Sequence, residues 1–142
     1  MTYAIAPAAD AGAAHDVLLK ALVAFNAAAA GDPQEKVFAL TIADPDTGET
    51  AGGLWAMSLW GSFYIALVIV PEAARGRGLG GELMRQAEAQ ARAWGCHNLW
   101  LDTFAFQARP FYERLGFSVF GQLDGPSPAF PRYFMRKTLP RD

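Results

Sequence analysis

The sequence has few of the residues that build disulfides and metal sites. It contains one cysteine, Cys96, and two histidines among 142 residues. A disulfide within the chain is therefore excluded, and so is a zinc site built from several cysteines. We expect no metal site, because His15 and His97 lie far apart without the spacing of metal ligands.

The sequence also lacks an excess of positive charge and a long apolar run. Its 12 Lys and Arg against 14 Asp and Glu give a formal net charge of −2, which argues against a non-specific nucleic-acid partner. No uninterrupted apolar run reaches the roughly 18 residues that a membrane span needs. The first ten residues lack the basic region of a signal peptide. We therefore expect a cytoplasmic protein with no membrane partner.

The apolar content is that of one folded domain. Hydrophobic residues make up 52% of the chain and charged residues 18%, which is enough apolar material to bury a core. The length of 142 residues predicts a single domain over residues 1–142.

Hydrophobic periodicity predicts an alternating order of helices and strands. The predicted helices are residues 11–30, 78–94 and 107–115, and the predicted strands are residues 36–43, 50–60, 63–70, 98–106, 117–123 and 132–139. The first three strands predict an antiparallel meander, and the strand–helix–strand segment 63–106 predicts a parallel, right-handed crossover. The fold class is therefore α/β with a mixed sheet. We expect strand 63–70 to be central and covered on both faces, because it is apolar on both.

The segment after strand 63–70 combines arginines with glycines at the start of a predicted helix. Residues 75–81, here called the glycine–arginine loop, read Arg-Gly-Arg-Gly-Leu-Gly-Gly. Glycines let the backbone approach a ligand closely, and the free N–H groups at a helix start favour an anion. Arg75 and Arg77 add forked donors for phosphate oxygens. The loop predicts a pyrophosphate site; the alternative is a turn with two solvated arginines.

Two segments resemble the GNAT superfamily of N-acetyltransferases. Residues 75–80 fit its coenzyme-binding pattern Q/R-x-x-G-x-G/A, with Arg75, Gly78 and Gly80 at the defining positions. Residues 106–117 are similar to its Asn/Gln-x-x-x-x-Tyr-x-x-x-Gly-Phe segment, with Gln107 and Tyr112 in place. The resemblance extends over residues 37–139, and the predicted order of elements agrees with it.

The resemblance implies acetyl-CoA as the donor and a primary amine of a small molecule or peptide as the acceptor, with direct attack in a ternary complex. The coenzyme's pyrophosphate would lie on the amides of the glycine–arginine loop, and its pantetheine arm would pair along strand 63–70 where it splays from strand 98–106. The implied coenzyme-binding residues are Ile69, Val70, Arg75, Gly76, Arg77, Gly78, Leu79, Gly80, Gly81 and Gln107. A homodimer is kept as an alternative to a monomer.

Catalytic roles are implied for two side chains. Tyr112 matches the family's usual general acid, since a phenol can protonate a leaving thiolate; the alternative is an aromatic that only packs in the core. The general base stays open, because Ala66 occupies the strand centre where family members often place a carboxylate. The remaining candidates for the base are Asp102, Glu72, Glu49 or a water chain. Asp102 is the most suggestive candidate, because burying a charge inside an apolar strand is costly unless the charge is paired. The alternative role of Asp102 is a structural ion pair.

Two other functions fit the same residues. A non-catalytic acyl-CoA-binding sensor would keep the glycine–arginine loop and need no base on the central strand. A structural or partner-binding domain would use the loop only as a turn and would have no affinity for the coenzyme.

Overall fold

The computed structural model describes residues 2–128 and 130–140. The chain divides into two compact units, residues 1–33 and 34–142. The expectation of one domain over residues 1–142 stays a prediction.

The first unit contains one helix, α1 (Ala11–Ala30). It begins after Asp10, whose side chain accepts a hydrogen bond from the Ala13 backbone N–H at 3.0 Å, a normal N-cap. It ends at Gly31, which has a positive φ of 79°. By length and composition alone, α1 is long and apolar enough to cross a membrane. The sequence analysis considered only uninterrupted apolar runs. Asp16 and Lys20 interrupt the run in α1, but the mean hydropathy of the helix stays high.

Among its described residues, the second unit contains six strands and two α-helices. Their bounds are β1 (Lys36–Ala43), β2 (Thr50–Leu59), β3 (Ser62–Ile69), α2 (Leu79–Ala93), β4 (Asn98–Phe104), α3 (Arg109–Arg114), β5 (Ser118–Leu123) and β6 (Arg132–Thr138). A single turn of 3₁₀ helix, Glu72–Ala74, lies between β3 and α2. The order of elements is the predicted one, and no end is shifted by more than two residues.

The sheet is mixed and open, as the sequence predicted. Its strand order is β1-β2-β3-β4-β6-β5. The pair β3–β4 is parallel and every other pair is antiparallel. The parallel pair is the one joined through α2, which is the predicted crossover. The insertion of β6 between β4 and β5 is a pairing that local sequence patterns did not predict.

The core of the second unit lies between one face of the sheet and the helices α2 and α3. The apolar stripe of α2 is buried in this core, as is usual for an amphipathic helix that packs on a sheet. The buried α2 residues are Leu83, Met84, Ala87 and Ala91. The largest fully buried side chains are on the strands: Phe63, Leu99, Leu101 and Met135. Each such burial stabilises the fold by about 1.5–3 kcal/mol.

Strand β3 is the third of six, but the expectation that both its faces are covered is wrong. Phe63 and Ile65 are buried, whereas Leu67 and Ile69 are 65% and 61% exposed. The exposed pair lies in the second half of β3, beyond the last residue that pairs with β4. This apolar half-strand lines an open cavity, and that cavity is the candidate site.

Candidate active site

A gap between two neighbouring parallel strands forms the cavity. Strand β3 pairs with β4 only from Ser62 to Tyr64, opposite Asn98 to Trp100, and the strands then separate. The opening between them is a cavity of about 570 Å³. It is lined by Ile65, Ala66, Leu67, Val68, Ile69, Val70, Arg75, Asp102, Thr103, Phe106, Gln107, Ala108 and Tyr112. The predicted splay is therefore present, and six predicted site residues share one cavity.

The β3 side of the cavity offers backbone hydrogen-bonding groups. In the described chain, residues 65–70 have no strand partner on the edge that faces β4. Their other edge pairs with β2, with a bulge at which Ala66 has no direct partner. Backbone N–H and C=O groups require partners when a ligand removes them from water. An extended ligand with amide groups could supply those partners by lying in the gap as an added strand.

The glycine–arginine loop has the backbone geometry of an anion site. Gly76 and Gly78 adopt left-handed conformations with φ of 78° and 76°, which glycine reaches at no steric cost. Gly78 is the N-cap of α2, and no side chain of the described residues caps this helix start. A Cβ atom at Gly76 or Gly78 would meet no protein atom within 4 Å. The space in front of these glycines is open, so the loop fits a phosphate group held by backbone N–H groups.

Gly80 is explained by packing inside the protein. A Cβ atom added there would lie 3.3 Å from Cζ of Phe111 on α3. The glycine therefore lets α2 and α3 approach each other, and α3 is the helix that carries Tyr112. Gly81 has open space around its Cβ position and an ordinary helical φ.

Arg75 and Arg77 are both exposed and make no ion pair with other described residues. Only Arg75 lines the cavity. Two unpaired guanidinium groups beside an uncapped helix start add positive charge where the helix dipole is already positive.

Tyr112 combines packing in the core with access to the cavity. Its side chain is buried, and its ring contacts Phe111 and Phe117 with centroid distances of 5.2 and 6.0 Å. The same residue lines the cavity, and its hydroxyl forms no hydrogen bond within the described chain. Burial raises the pKa of the Tyr112 phenol above its usual value of 10. The phenol is therefore protonated at neutral pH and free to donate.

Asp102 is the only carboxylate that lines the cavity among the described residues. Its Oδ2 accepts a hydrogen bond from Nε of Arg132 at 2.8 Å and lies 2.7 Å from Nη2 of the same guanidinium. Its Oδ1 accepts one from the Tyr64 hydroxyl at 3.1 Å. The hydrogen bond with Asp102 raises the pKa of Arg132, while burial, followed by the Asp102 charge, raises the pKa of Tyr64. The ion pair given above as the alternative role of Asp102 is therefore present, and its carboxylate lines the cavity.

The other predicted residues separate into two groups. Gln107 lines the cavity, but its Oε1 accepts from the Phe104 backbone N–H at 2.7 Å and from the Thr103 hydroxyl at 3.3 Å. Only its amide nitrogen remains for a ligand. Glu72 and Glu49 are exposed and lie outside the lining.

Sequence reasoning missed two residues of this site. Phe106 is 59% exposed at the cavity and stacks on Phe104, with ring centroids 5.5 Å apart. Tyr64 holds one oxygen of Asp102. Their aromatic character resembled that of core residues. Only the separation of β3 from β4 shows that Phe106 lies at an opening, and only the pairing of the two strands brings Tyr64 to Asp102.

Known proteins are similar to this chain in sequence and in fold. The profile of the Acetyltransferase (GNAT) family matches residues 7–117. Acetyltransferase Atu2258 of Agrobacterium fabrum is 37% identical over 126 residues, 89% of this chain and 90% of the relative. The blasticidin-S acetyltransferase of Streptomyces morookaense is 36% identical over 100 residues, 70% of this chain and 74% of the relative. A crystal structure of an acetyltransferase from Agrobacterium tumefaciens superposes with a TM-score of 0.83 and 32% identity, over 98% of this chain and 100% of that one.

The chain therefore belongs to the GNAT family of acetyltransferases. It is an acyltransferase with the family's open mixed sheet, as its two sequence segments implied.

Proposed function

We propose that this protein transfers the acetyl group of acetyl-CoA to a primary amine of a small molecule or peptide within a ternary complex. One observation carries the proposal: the gap between β3 and β4 brings Arg75, the unpaired edge of β3 and the Tyr112 phenol to a single cavity. These are a phosphate contact, a track for an extended amide-containing arm, and a proton donor.

In this proposal the glycine–arginine loop holds the pyrophosphate through backbone N–H groups and its two arginines. The pantetheine arm lies along Ile69 and Val70 and pairs with the free edge of β3. Gln107 contacts the arm through its amide nitrogen. A backbone N–H near Val70 then donates to the thioester oxygen, where negative charge develops during the reaction.

The transfer is a direct displacement. The deprotonated amine nitrogen attacks the thioester carbon, and the new C–N bond forms before the C–S bond breaks. The leaving thiolate takes the phenol proton of Tyr112. The acceptor's ammonium group loses two protons in all. The first passes to Asp102 or to water and then to solvent, which leaves the amine free to attack. The second leaves the nitrogen after the attack and replaces the proton that Tyr112 gave to the thiolate.

A non-catalytic acyl-CoA sensor is the second candidate function. The observation that favours it is the pairing of Asp102 with Arg132, which leaves no unpaired carboxylate among the described cavity residues to act as a base. A sensor and an enzyme both bind the coenzyme, so turnover of amines separates them.

Acetyl-CoA is expected to stabilise the folded protein. At a concentration about 100-fold above Kd, binding adds about 2.7 kcal/mol, which raises the Tm of a domain of this size by about 8 °C. The measurement is a thermal unfolding curve with and without millimolar acetyl-CoA, with ATP at the same concentration as a control for polyphosphate alone. An unchanged Tm at millimolar acetyl-CoA would contradict coenzyme binding and leave the structural-domain alternative.

Arg75→Ala is expected to raise KM for acetyl-CoA about tenfold and to leave kcat within about twofold. A contact to a remote phosphate binds the ground state and the transition state equally, so its loss appears in KM. Arg77→Ala should give a smaller change, because Arg77 lies outside the cavity lining. Arg92→Ala, an exposed arginine of α2 paired with Glu88, is the matched control and should change neither constant. Equal values for Arg75→Ala and Arg92→Ala would return Arg75 to a solvated surface role.

A further inference from the structure

Asp102, which lines the cavity, is joined to one side chain from each neighbouring strand. Asp102 on β4 pairs in register with Phe134 of β6, and Phe104 pairs with Arg132. Arg132 and Asp102 are therefore diagonal neighbours on one face, a separation that long side chains bridge. Tyr64 reaches the same carboxylate from β3.

Packing holds both partners of Asp102 in place. The Tyr64 ring stacks on Trp100 with centroids 4.1 Å apart. The Arg132 guanidinium lies over the rings of Phe104 and Phe134, at 5.6 and 5.2 Å from their centroids. Stacked guanidinium and phenol groups lose little further freedom when they bind a carboxylate. The Asp102 carboxylate is thus oriented before any ligand arrives.

The hydrogen bonds are divided unequally between the two oxygens of Asp102. Within the described chain, Oδ2 accepts from Nε of Arg132 and also contacts Nη2, whereas Oδ1 accepts only from the Tyr64 hydroxyl. A carboxylate has about four acceptor sites, two on each oxygen. Within the described chain, Oδ1 therefore has one acceptor site left over, and Asp102 lines the cavity.

This arrangement suits recognition of a hydrogen-bond donor. An ammonium group that enters the cavity can donate to the remaining acceptor site of Oδ1. It finds an oriented oxygen in a partly buried setting, where charge-assisted hydrogen bonds are strong.

An aromatic surface lies beside this carboxylate. Phe106 lines the cavity, is 59% exposed, and is held by stacking on Phe104 and by edge contact with Phe130 at 5.4 Å. A supported and exposed ring offers a flat face to a ligand. Flat apolar groups and cations both bind such a face.

We propose that the acceptor is a small cationic amine with a flat apolar group near its nitrogen, bound by Asp102 Oδ1 at its ammonium and by Phe106 at its flat group. Tyr64 and Arg132 are positioning residues that act through Asp102. This inference rests on the proposed function. In the proposed function the cavity of about 570 Å³ would also hold the end of the pantetheine arm, which favours a small molecule over a peptide.

The test compares phenethylamine with O-benzylhydroxylamine, which has nearly the same shape but an uncharged amine at neutral pH. Binding to the CoA-saturated protein is measured by calorimetry, and turnover by thiol release. We expect phenethylamine to bind at least tenfold more tightly than its neutral analogue. Asp102→Asn should weaken phenethylamine about 10- to 100-fold, the value of a hydrogen bond to a charged group, and remove the discrimination. Its KM for acetyl-CoA should stay within twofold of wild type.

Two further variants test the proposal if Asp102→Asn does not fold. Tyr64→Phe keeps the stacked ring and removes one hydrogen bond to Oδ1, so it should raise the amine Kd about 3- to 10-fold. Phe106→Ala should weaken phenethylamine but not butylamine. Phe120→Ala removes an exposed ring outside the cavity lining and should change neither amine.

Several results would overturn the inference. One is equal affinity of the wild type for the charged and the neutral amine, or no detectable binding of phenethylamine. Another is an Asp102→Asn variant whose kcat falls while its KM for the amine is unchanged, and whose pH profile loses its acidic limb. That result would assign Asp102 as the general base. Amine binding without turnover would contradict the proposed function and leave the binding inference standing, so the two failures are distinct.

Discussion

Replacing Tyr112 by phenylalanine is expected to lower kcat by about 10²- to 10⁴-fold, the usual contribution of a general acid. The change removes only the hydroxyl, and in the described chain that hydroxyl has no hydrogen-bond partner to lose. The ring keeps its contacts with Phe111 and Phe117, so the free energy of unfolding should stay within about 1 kcal/mol. The measurement is steady-state turnover beside a thermal unfolding curve and a coenzyme titration.

The control for this variant is Tyr133→Phe, because Tyr133 lies on β6 outside the cavity lining. It should keep its kcat. The kcat of the wild type should show no loss of the Tyr112 donor as pH rises toward 10, because burial raises the pKa of Tyr112 and the protonated form persists to higher pH. A folded Tyr112→Phe variant with kcat within a few-fold of wild type would make Tyr112 a core aromatic only. The thiolate would then take its proton from water or the acceptor.

Gly78→Val is expected to weaken coenzyme binding by at least 100-fold. Gly78 adopts φ of 76° at the N-cap of α2, a conformation that a β-branched residue rarely reaches. The substitution shifts the backbone N–H groups that would hold the pyrophosphate and also puts a side chain into the open space before them. The measurement is a calorimetric titration with acetyl-CoA, with circular dichroism to verify the fold.

Gly48→Val is the matched control. Gly48 has a similar positive φ of 75° and open space at its Cβ position, but it lies in the turn between β1 and β2. Coenzyme affinity should be kept. If Gly78→Val folds and binds acetyl-CoA like the wild type, the glycine–arginine loop does not hold the pyrophosphate.

Local sequence patterns predicted most of the fold because they act over short distances. Alternating apolar residues predicted β1, a run apolar on both faces predicted β3, and the three-and-four spacing predicted α2. The end of β4 was placed two residues late, at 106 instead of Phe104. The reason is that the Gln107 side chain closes a turn on the Phe104 backbone N–H, a contact that hydrophobic periodicity does not contain.

The site was predicted in part, and the missing part depends on long-range pairing. The glycine–arginine loop and the Tyr112 segment were visible as contiguous motifs. The partner of Asp102 was not visible, because Arg132 lies 30 residues away in the sequence. The two side chains meet because β6 lies between β4 and β5 in the sheet. No spacing rule within one segment signals that insertion. The sequence therefore left the role of Asp102 open between a base and an ion pair.

The most direct test of the central claim follows the acetyl group itself. The wild-type protein is incubated with acetyl-CoA carrying an isotopically labelled acetyl group and with a panel of primary amines, and the label and the free thiol are both measured. The proposed function predicts that labelled amide and thiol appear in equal amounts, only when protein, acetyl-CoA and amine are all present. Tight binding of acetyl-CoA with no labelled amide from any amine would contradict the claim and make the protein a sensor.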